Sequence, residues 1–327
     1  MIIERIKENA SSFQKLSAKK KVGITANIIF ELFSYVILIA IGYIVLYPLI
    51  YMVVTAIRTP ESYLDPTRNW IPTSVYLGHF KRALEYMDFR NSVINTIKYE
   101  LISALLEVLS CAIAAYGFAR FNFKFKNFFM VILFITILVP APMIIIPLVT
   151  NFSQMDVLGV LGLFNKLTGI DLRINLMGTG FTYWLPSLLG VGLRSGILIY
   201  IYIQFFKGLP KELEEAAWID GAGPIRTFFS IAVPSSGVVI ITVTVFSLVW
   251  HWNDYFLASM YTVGESTLAT AAAELPNTIT THGIYELSLT NGCILAGTVI
   301  YIIPLLIVYL FLQRGFIESV DRVGITG

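Results

Sequence analysis

The sequence has 327 residues, of which 56% are apolar and only 13% are charged. Soluble domains carry roughly 25% charged residues, and the mean hydropathy here is +0.74. The formal net charge of +2 is small and gives no indication of a nucleic-acid partner. Composition therefore excludes an ordinary soluble protein and predicts a chain that lies in a membrane.

Long apolar segments recur along the chain. Each is longer than the roughly 20 residues with which a helix crosses the hydrocarbon core. Their apolar residues are continuous rather than alternating, which favours helices over a barrel. The sequence thus predicts an all-α membrane protein with six transmembrane helices, at residues 32–57, 92–119, 127–155, 174–206, 227–253 and 287–313.

The distribution of lysine and arginine predicts the orientation of these spans. With both termini in the cytoplasm, the cytoplasmic segments contain fourteen of these cations and the outside loops contain seven, which satisfies the positive-inside rule. Residues 1–31 then form a cytoplasmic N-terminal arm, 32–317 the membrane domain and 318–327 a cytoplasmic C-terminal tail. The last outside loop, 261–292, has no lysine or arginine, and we expect it to be exposed.

Two charged residues fall near the middle of predicted spans, Glu107 in the second and Arg194 in the fourth. Ionisable groups in a span usually face a bundle interior or a cavity. We therefore expect both side chains to be buried, and a structural ion pair between them is plausible. Lys98 and Glu100 lie near the outer end of the second span, where they can snorkel.

An acidic segment, 210-PKELEEAAWIDGAGPIRTFFSIAVP-234, separates the fourth and fifth spans. Pro210 suits the first position of a helix, and the glutamates that follow favour the positive end of the helix dipole. Gly221 and Gly223 can adopt the positive φ that ends a helix, and Pro224 begins another. The pattern predicts two short helices under the bundle. An ordinary loop of two surface helices fits it equally well.

The spacing within this segment resembles the EAA loop of the permease subunits of bacterial ABC importers. That pattern is Glu-Ala-Ala, three residues, Gly, nine residues, Ile, one residue and Leu-Pro, and Val233 replaces its leucine. The sequence PKELEEAAWIDGAG is most similar to the carbohydrate-uptake, maltose-permease-like branch of these permeases. The similarity covers most of residues 91–327, including 91-NSVINTIKYE-100, 114-AAYGFARFNF-123, 147-PLVTNFSQMDVLG-159 and 252-WND-254.

The resemblance implies a type I importer permease fold in a bacterial cytoplasmic membrane, with 207–233 as the coupling loop. The helix at 210–223 would be seated in a cleft of a cytoplasmic ATPase, where Glu215 would pair with a basic group. The residues assigned to this coupling by resemblance are Glu214, Glu215, Ala216, Ala217, Asp220, Gly221, Ile231 and Pro234.

The chain contains no G-x-x-x-x-G-K-[ST] phosphate-binding motif. We therefore predict a transport subunit that is not itself an enzyme and binds no cofactor or metal, with ATP and Mg²⁺ bound by a partner. The resemblance implies an ATPase dimer, a second homologous permease subunit and an extracytoplasmic solute-binding protein as partners. The cargo it implies is a sugar or oligosaccharide.

An aromatic and polar cluster in the fifth span is the candidate substrate pathway. Sugars need flat apolar faces for stacking and Asn or Asp for their hydroxyl groups, and this cluster offers both. Trp and Tyr also mark the membrane interface, so an anchoring role remains open. The cluster consists of Trp250, Trp252, Asn253, Asp254 and Tyr255.

Other functions compete with sugar import. The same importer class could carry glycerol phosphate, a polyol or another small solute. A secondary transporter would show paired interrupted helices in two halves, and an intramembrane enzyme would need a nucleophile with a base or a metal motif such as H-E-x-x-H. The sequence has neither pattern. The region 160–182 is longer than the family resemblance leads us to expect, and the sequence does not indicate its role.

Overall fold

The computed structural model describes residues 18–64, 74–156 and 159–325. Across these residues the backbone is mainly helical, and the one β pairing is an isolated bridge between Met155 and Ile174. The helices in chain order are α1 (Ala18–Ile57), α2 (Gly78–Tyr86), α3 (Phe89–Thr96), α4 (Ile102–Arg120), α5 (Lys126–Leu138), α6 (Ala141–Ser153), α7 (Val160–Thr168), α8 (Phe181–Leu188), α9 (Ser195–Gly208), α10 (Glu212–Ile219), α11 (Pro224–Thr227), α12 (Val233–Ser235), α13 (Gly237–Trp252), α14 (Phe256–Tyr261), α15 (Leu268–Thr281) and α16 (Leu287–Ile325).

Three helical stretches in the described part are long and apolar enough to cross a membrane. They are Ile29–Ile57, Phe89–Arg120 and Leu287–Gln313. The second stretch joins α3 to α4 through a π-helical turn at Ile97–Leu101. Two bent helix pairs raise the possible number of spans to five if each pair is counted as one. The prediction of an all-helical membrane protein is confirmed.

The fourth predicted span, 174–206, is not a continuous helix. Helix α8 ends at Leu188 and α9 begins at Ser195, and the connection contains Gly190 at φ 71° and Arg194 at φ 58°. Left-handed residues interrupt helical hydrogen bonding. Helix α9 alone is about 21 Å long at 1.5 Å per residue, which is less than the roughly 30 Å of the hydrocarbon core.

The third and fifth predicted spans are also not straight helices. Helices α5 and α6 meet at 104°, and the segment Pro224–Ser235 meets α13 at 83°. Pro140 separates α5 from α6 in an extended conformation, because proline cannot donate the hydrogen bond that would continue the first helix. An apolar run therefore indicates residence in the membrane without guaranteeing one straight helix.

Two large clusters of buried side chains hold the bundle together. The first lies where α4, α9 and α13 pack, and Leu198, Tyr202 and Phe206 of α9 are buried at its centre. The second lies where α2, α15 and α16 meet the end of α1 and includes Met87 and Leu275. The segment 261–292, predicted to be an outside loop, contributes a packed helix, α15, so its expected exposure holds only for part of the segment.

Helix α1 presents an apolar surface along most of its length. None of its most hydrophobic 18-residue window is buried within the chain, and burial begins only near Met52, Thr55 and Ala56. Such a surface is stable against lipid or another apolar protein surface. The tyrosines Tyr43 and Tyr47 recur one turn apart on it with their rings 5.8 Å apart.

The helical ends extend into both predicted cytoplasmic segments. Helix α1 begins at Ala18 and includes part of the predicted arm, while residues 1–17 lie outside the described residues. Helix α16 continues to Ile325 and thus includes most of the predicted tail 318–327. The domain boundaries predicted at 31 and 317 do not coincide with helix ends.

Candidate functional site

Helix α10 carries the acidic pattern between the predicted fourth and fifth spans. It begins at Glu212, so Pro210 lies two residues before it and not at its first position. The carbonyl of Lys211 accepts hydrogen bonds from the backbone N–H groups of Glu214 and Glu215, both at 3.0 Å. The three glutamates of the first turn lie at the positive end of the helix dipole, where negative charge is stabilising.

A glycine in the left-handed region ends α10. Gly221 has φ 80°; the N–H of Ala222 donates to the carbonyl of Ala217 at 2.9 Å, and that of Gly221 donates to Trp218 at 3.0 Å. This pair of bonds is the Schellman arrangement, which satisfies the last free carbonyls of a helix. Gly223 has φ −76° and ψ 170°, an extended conformation open to any residue, so the predicted positive φ applies to Gly221 alone.

Glu214 ties α10 to the end of α4. Its Oε1 accepts from Nε of Arg120 at 2.9 Å, and each side chain is 5% exposed. The same guanidinium donates through Nη2 to the carbonyl of Leu209 at 2.8 Å. Of the residues predicted to contact a partner, Glu214 therefore lies inside the chain and fixes the position of α10.

One face of α10 and the turn after it are exposed, as contact with the predicted partner would require. Trp218 is 46% exposed and Ile219 86% exposed, an unusual exposure for large apolar side chains next to carboxylates. The predicted coupling residues other than Glu214 divide into two groups. Ala217 and Ile231 are half-buried, and the exposed ones are Glu215, Ala216, Asp220, Gly221 and Pro234.

The predicted substrate cluster is divided between surface and interior. Asn253 and Tyr255 are exposed, whereas Asp254 is buried. Trp252 is half-buried, and its Nε1 donates to the carbonyl of Tyr301 at 3.2 Å. Trp250 is also half-buried and stacks on Phe246 with ring centroids 5.5 Å apart. The five residues therefore do not line one continuous surface of the isolated chain.

Glu107 and Arg194 do not form a buried pair. The side chain of Glu107 is fully buried, as predicted, but its partners are His251 and Ser247. Arg194 is exposed, and its guanidinium lies 5.2 Å above the ring of Trp250. The prediction for Arg194 is wrong because α9 begins only after this residue, which places it at a helix end and not in the middle of a span.

A buried polar cluster joins α13 to the Phe89–Arg120 helix. Nδ1 of His251 lies 3.0 Å from Oε2 of Glu100, and Nε2 lies 3.1 Å from Oε2 of Glu107. Ser247 donates to the same Glu107 oxygen at 3.2 Å. The expectation that Glu100 snorkels to the interface is wrong, since its side chain is 2% exposed.

Other polar atoms surround this cluster without a hydrogen-bond partner. They include Oε1 of Glu100 and of Glu107, Oδ2 of Asp254 and the hydroxyl of Tyr183. Sequence reasoning missed the cluster, although one signal was present. Glu100 and Glu107 are seven residues apart, which places both on one face of a helix after two turns.

The N-terminal part of the Phe89–Arg120 helix binds the loop that precedes α15. Oε2 of Glu265 accepts from the hydroxyl of Tyr99 at 2.6 Å and from Nζ of Lys98 at 3.1 Å. The hydrogen bond from Tyr99 and the ammonium of Lys98 hold the pKa of Glu265 below its usual value. Thr96 Oγ1 accepts from the backbone N–H of Leu268 at 2.8 Å, which anchors the start of α15.

Comparison with known families gives one match that covers most of the chain. The profile of the family described as "Binding-protein-dependent transport system inner membrane component" matches residues 108–322. This range contains α10, the turn at Gly221 and His251 of the buried polar cluster, whose Glu100 and Glu107 precede it, and it extends through most of α16.

Individual proteins show the same similarity over nearly the whole chain. The probable ABC transporter permease protein YurM of Bacillus subtilis is 28% identical, over 90% of this chain and 87% of that protein. The arabinooligosaccharides transport system permease protein AraQ of Halalkalibacterium halodurans is 26% identical, over 88% and 93%. The sn-glycerol-3-phosphate transport system permease protein UgpE of Pectobacterium atrosepticum is also 26% identical, over 88% and 95%.

A solved structure confirms the fold. The chain superposes with a TM-score of 0.66 on a chain from the crystal structure of a bacterial ABC transporter involved in the import of the acidic polysaccharide alginate. The alignment covers 88% of this chain and 97% of that one, at 21% sequence identity. The two chains therefore share one fold.

Proposed function

Because this chain belongs to the family of inner membrane components of binding-protein-dependent transport systems, we propose that it is a permease subunit of an ATP-driven importer for a sugar or oligosaccharide. The family places it in the cytoplasmic membrane as a multi-pass transport subunit rather than an enzyme. The observation that carries the proposal is α10, a short acidic helix with an exposed Trp218–Ile219 edge and a glycine-ended turn.

The exposed face of α10 is the surface that a separate ATPase dimer contacts and moves. That dimer binds ATP and Mg²⁺. Glu215 and Asp220 are exposed and available to basic groups of that partner, while Trp218 and Ile219 supply apolar contact area. The buried ion pair of Glu214 with Arg120 transmits movement of α10 to the membrane helices. ATP-driven closure then shifts the bundle between two global states.

The membrane arrangement we propose has six spans with both termini in the cytoplasm. Three long helices and two bent pairs supply five spans, and α8 with α9 supplies the sixth. This arrangement places α10 and Lys211 on the cytoplasmic side and the loop before α15 on the outside, in accord with the excess of cations on the α10 side. A second, homologous permease subunit covers apolar surface that one chain leaves exposed, and a solute-binding protein delivers the cargo outside.

The cargo proposal rests on the relatives and on the exposed members of the α13 cluster. AraQ is named for arabinooligosaccharides, and Asn253 and Tyr255 offer an amide and an aromatic ring at the surface. A pathway at the interface with the second permease would bring these side chains to the solute. Asp254 and His251 are buried and take no part in this contact in the conformation described.

One observation favours a second cargo class, an anionic solute. Arg194 is exposed beside Trp250, and a guanidinium above an aromatic ring suits a carboxylate or phosphate on a small polar molecule. UgpE, a relative of similar identity, is named for sn-glycerol 3-phosphate. The two classes differ in whether transport depends on the charge at position 194.

The test is a reconstituted importer, assembled from this chain and the subunits that copurify with it from its native membrane. Stimulation of ATP hydrolysis is measured with neutral oligosaccharides, acidic oligosaccharides and glycerol 3-phosphate in the presence of the binding protein. We expect a neutral oligosaccharide to stimulate wild type and Arg194→Gln equally, and Glu215→Ala to abolish the stimulation. Stimulation only by anionic solutes, lost in Arg194→Gln, would select the second class. Purification of the chain without an ATPase would refute import driven by ATP.

A further inference from the structure

Both ring nitrogens of His251 face a carboxylate oxygen in the interior of the chain. The distances are 3.0 Å to Glu100 and 3.1 Å to Glu107, and the three side chains are between 0% and 3% exposed. At this depth a nitrogen lone pair turned toward a carboxylate oxygen would leave two acceptors in contact without a donor, which is costly. Each of the two contacts must therefore contain a proton.

Counting protons gives the composition of the cluster. A neutral imidazole carries one N–H, and an ionised carboxylate carries no hydrogen to donate. The two contacts therefore require one proton more than a neutral histidine and two ionised glutamates possess. This proton resides on the imidazole, which is then an imidazolium, or on a carboxyl group that donates to the ring nitrogen. The total number of protons is the same in both forms.

We propose that Glu100, His251 and Glu107 form a buried proton-binding site that links the Phe89–Arg120 helix to α13. Its ligand is a single proton, bound in addition to the one that a neutral imidazole carries. The proton reduces the buried negative charge of the three groups from two to one and supplies the second of the two contacts between the helices. Proton binding at this site does not depend on which solute the importer carries.

The groups that face the site from neighbouring elements do not replace this proton. Ser247 of α13 donates to the Glu107 oxygen that already faces His251. Tyr183 of α8 and Tyr301 of α16 lie within electrostatic range of Glu100 and Asp254, and their phenols are neutral near pH 7. Asp254, which accepts from the N–H of Leu257 at 3.2 Å, adds negative charge. Arg194, which acts on Asp254, is exposed and bound over Trp250.

Glutamine at position 107 gives a variant that needs no additional proton. Its amide N–H₂ has two hydrogens, one for Nε2 of His251 and one for the hydroxyl of Ser247, which can in turn donate to the carbonyl of Ala104, now 3.3 Å away. A neutral imidazole then donates its single N–H to Glu100. Glutamine at position 100 provides the mirror image of this arrangement.

The experiment compares unfolding of the intact importer, reconstituted in lipid nanodiscs, between about pH 6 and about pH 10. The samples are wild type, Glu107→Gln, Glu100→Gln and His251→Gln, with His282→Gln as control because His282 is exposed and distant in sequence. When the folded state binds one proton more than the unfolded state, stability falls as pH rises, by about tenfold per pH unit in the unfolding constant.

We expect wild type and His282→Gln to lose stability on the alkaline side with this one-proton slope. Glu107→Gln should match wild type near neutral pH and lack the slope, and Glu100→Gln should behave in the same way. His251→Gln should be less stable at all pH values and show no such slope. Equal alkaline slopes in wild type and both amide variants would overturn the proposal. Failure of both amide variants to assemble would also overturn it, because ionised carboxylates and not the proton would then be required.

Discussion

Removal of the Glu214 carboxylate should release α10 from the bundle while leaving its outer face unchanged. The pair with Arg120 is a 2.9 Å contact between side chains that are each 5% exposed. Breaking a buried ion pair by removing one partner costs about 3–5 kcal/mol. Arg120 keeps its bond to the Leu209 carbonyl, so we take the lower figure, about 3 kcal/mol, which corresponds to roughly a 100-fold change in an equilibrium constant.

Amide hydrogen exchange across Glu212–Ile219 in the reconstituted importer measures this release. In Glu214→Ala we expect these amides to exchange roughly 100-fold faster than in wild type, because local opening sets the exchange rate. Glu215→Ala is the matched control: it removes an exposed carboxylate from the next position and should leave the exchange unchanged. The double variant Arg120→Met/Glu214→Met should recover much of the protection, since an apolar pair can replace a buried ion pair. Equal exchange in Glu214→Ala and Glu215→Ala would refute the assignment of Glu214 as the internal attachment of α10.

Three further substitutions test the geometry elsewhere. Gly221→Ala should destabilise the end of α10 by about 1 kcal/mol, because φ is 80° and a left-handed residue with a side chain is strained. Gly223→Ala, at φ −76°, should leave the stability unchanged. The midpoints of thermal unfolding of the two variants test this difference. Gly292→Ala should lower the midpoint of thermal unfolding, because its Cβ would lie 2.4 Å from Nε2 of His79 and overpacking costs roughly 1–3 kcal/mol. Glu265→Gln should remove a stabilisation that wild type has at neutral pH and loses as pH falls through the lowered pKa of this carboxyl; an acid unfolding curve identical to that of wild type would contradict this.

The class of the protein and the turn after α10 could be predicted from sequence because both are local properties. A long apolar run reports the partition of each residue into lipid, and it predicted the helical membrane class. The position of Gly221 after an acidic helix reports a backbone conformation that few other residues adopt, and the structure places it at φ 80°. Neither inference required knowledge of which helices are neighbours.

The polar cluster and the exposure of Arg194 could not be predicted from sequence, because both depend on contacts and breaks that local sequence does not reveal. His251 is 151 positions from Glu100 in sequence, and hydropathy says only that each group is costly in a span. The helix that would have buried Arg194 is interrupted at Gly190 and begins again at Ser195. Because the helix is broken over six residues, Arg194 is exposed and not buried as predicted. Glu107 instead pairs with His251, which is distant in sequence.

The Phe89–Arg120 helix connects all three polar features, so a movement at one of them can reach the others. At 32 residues it is about 48 Å long. Near one end Tyr99 and Lys98 hold Glu265 of the loop before α15, and at the other end Arg120 holds α10. Between them lie the two carboxylates that bind His251.

A displacement of α10 therefore acts on a single helix that also contacts the loop before α15 and α13. The π-helical turn at Ile97–Leu101 is the weak point of this connection, since such turns interrupt the regular hydrogen-bond ladder. Glu100 lies within that turn, so its contact with His251 stabilises the helix at the position where it deforms most easily. We therefore expect that loss of the proton from the cluster weakens the mechanical connection between α10 and the loop before α15, in addition to the contact between the Phe89–Arg120 helix and α13.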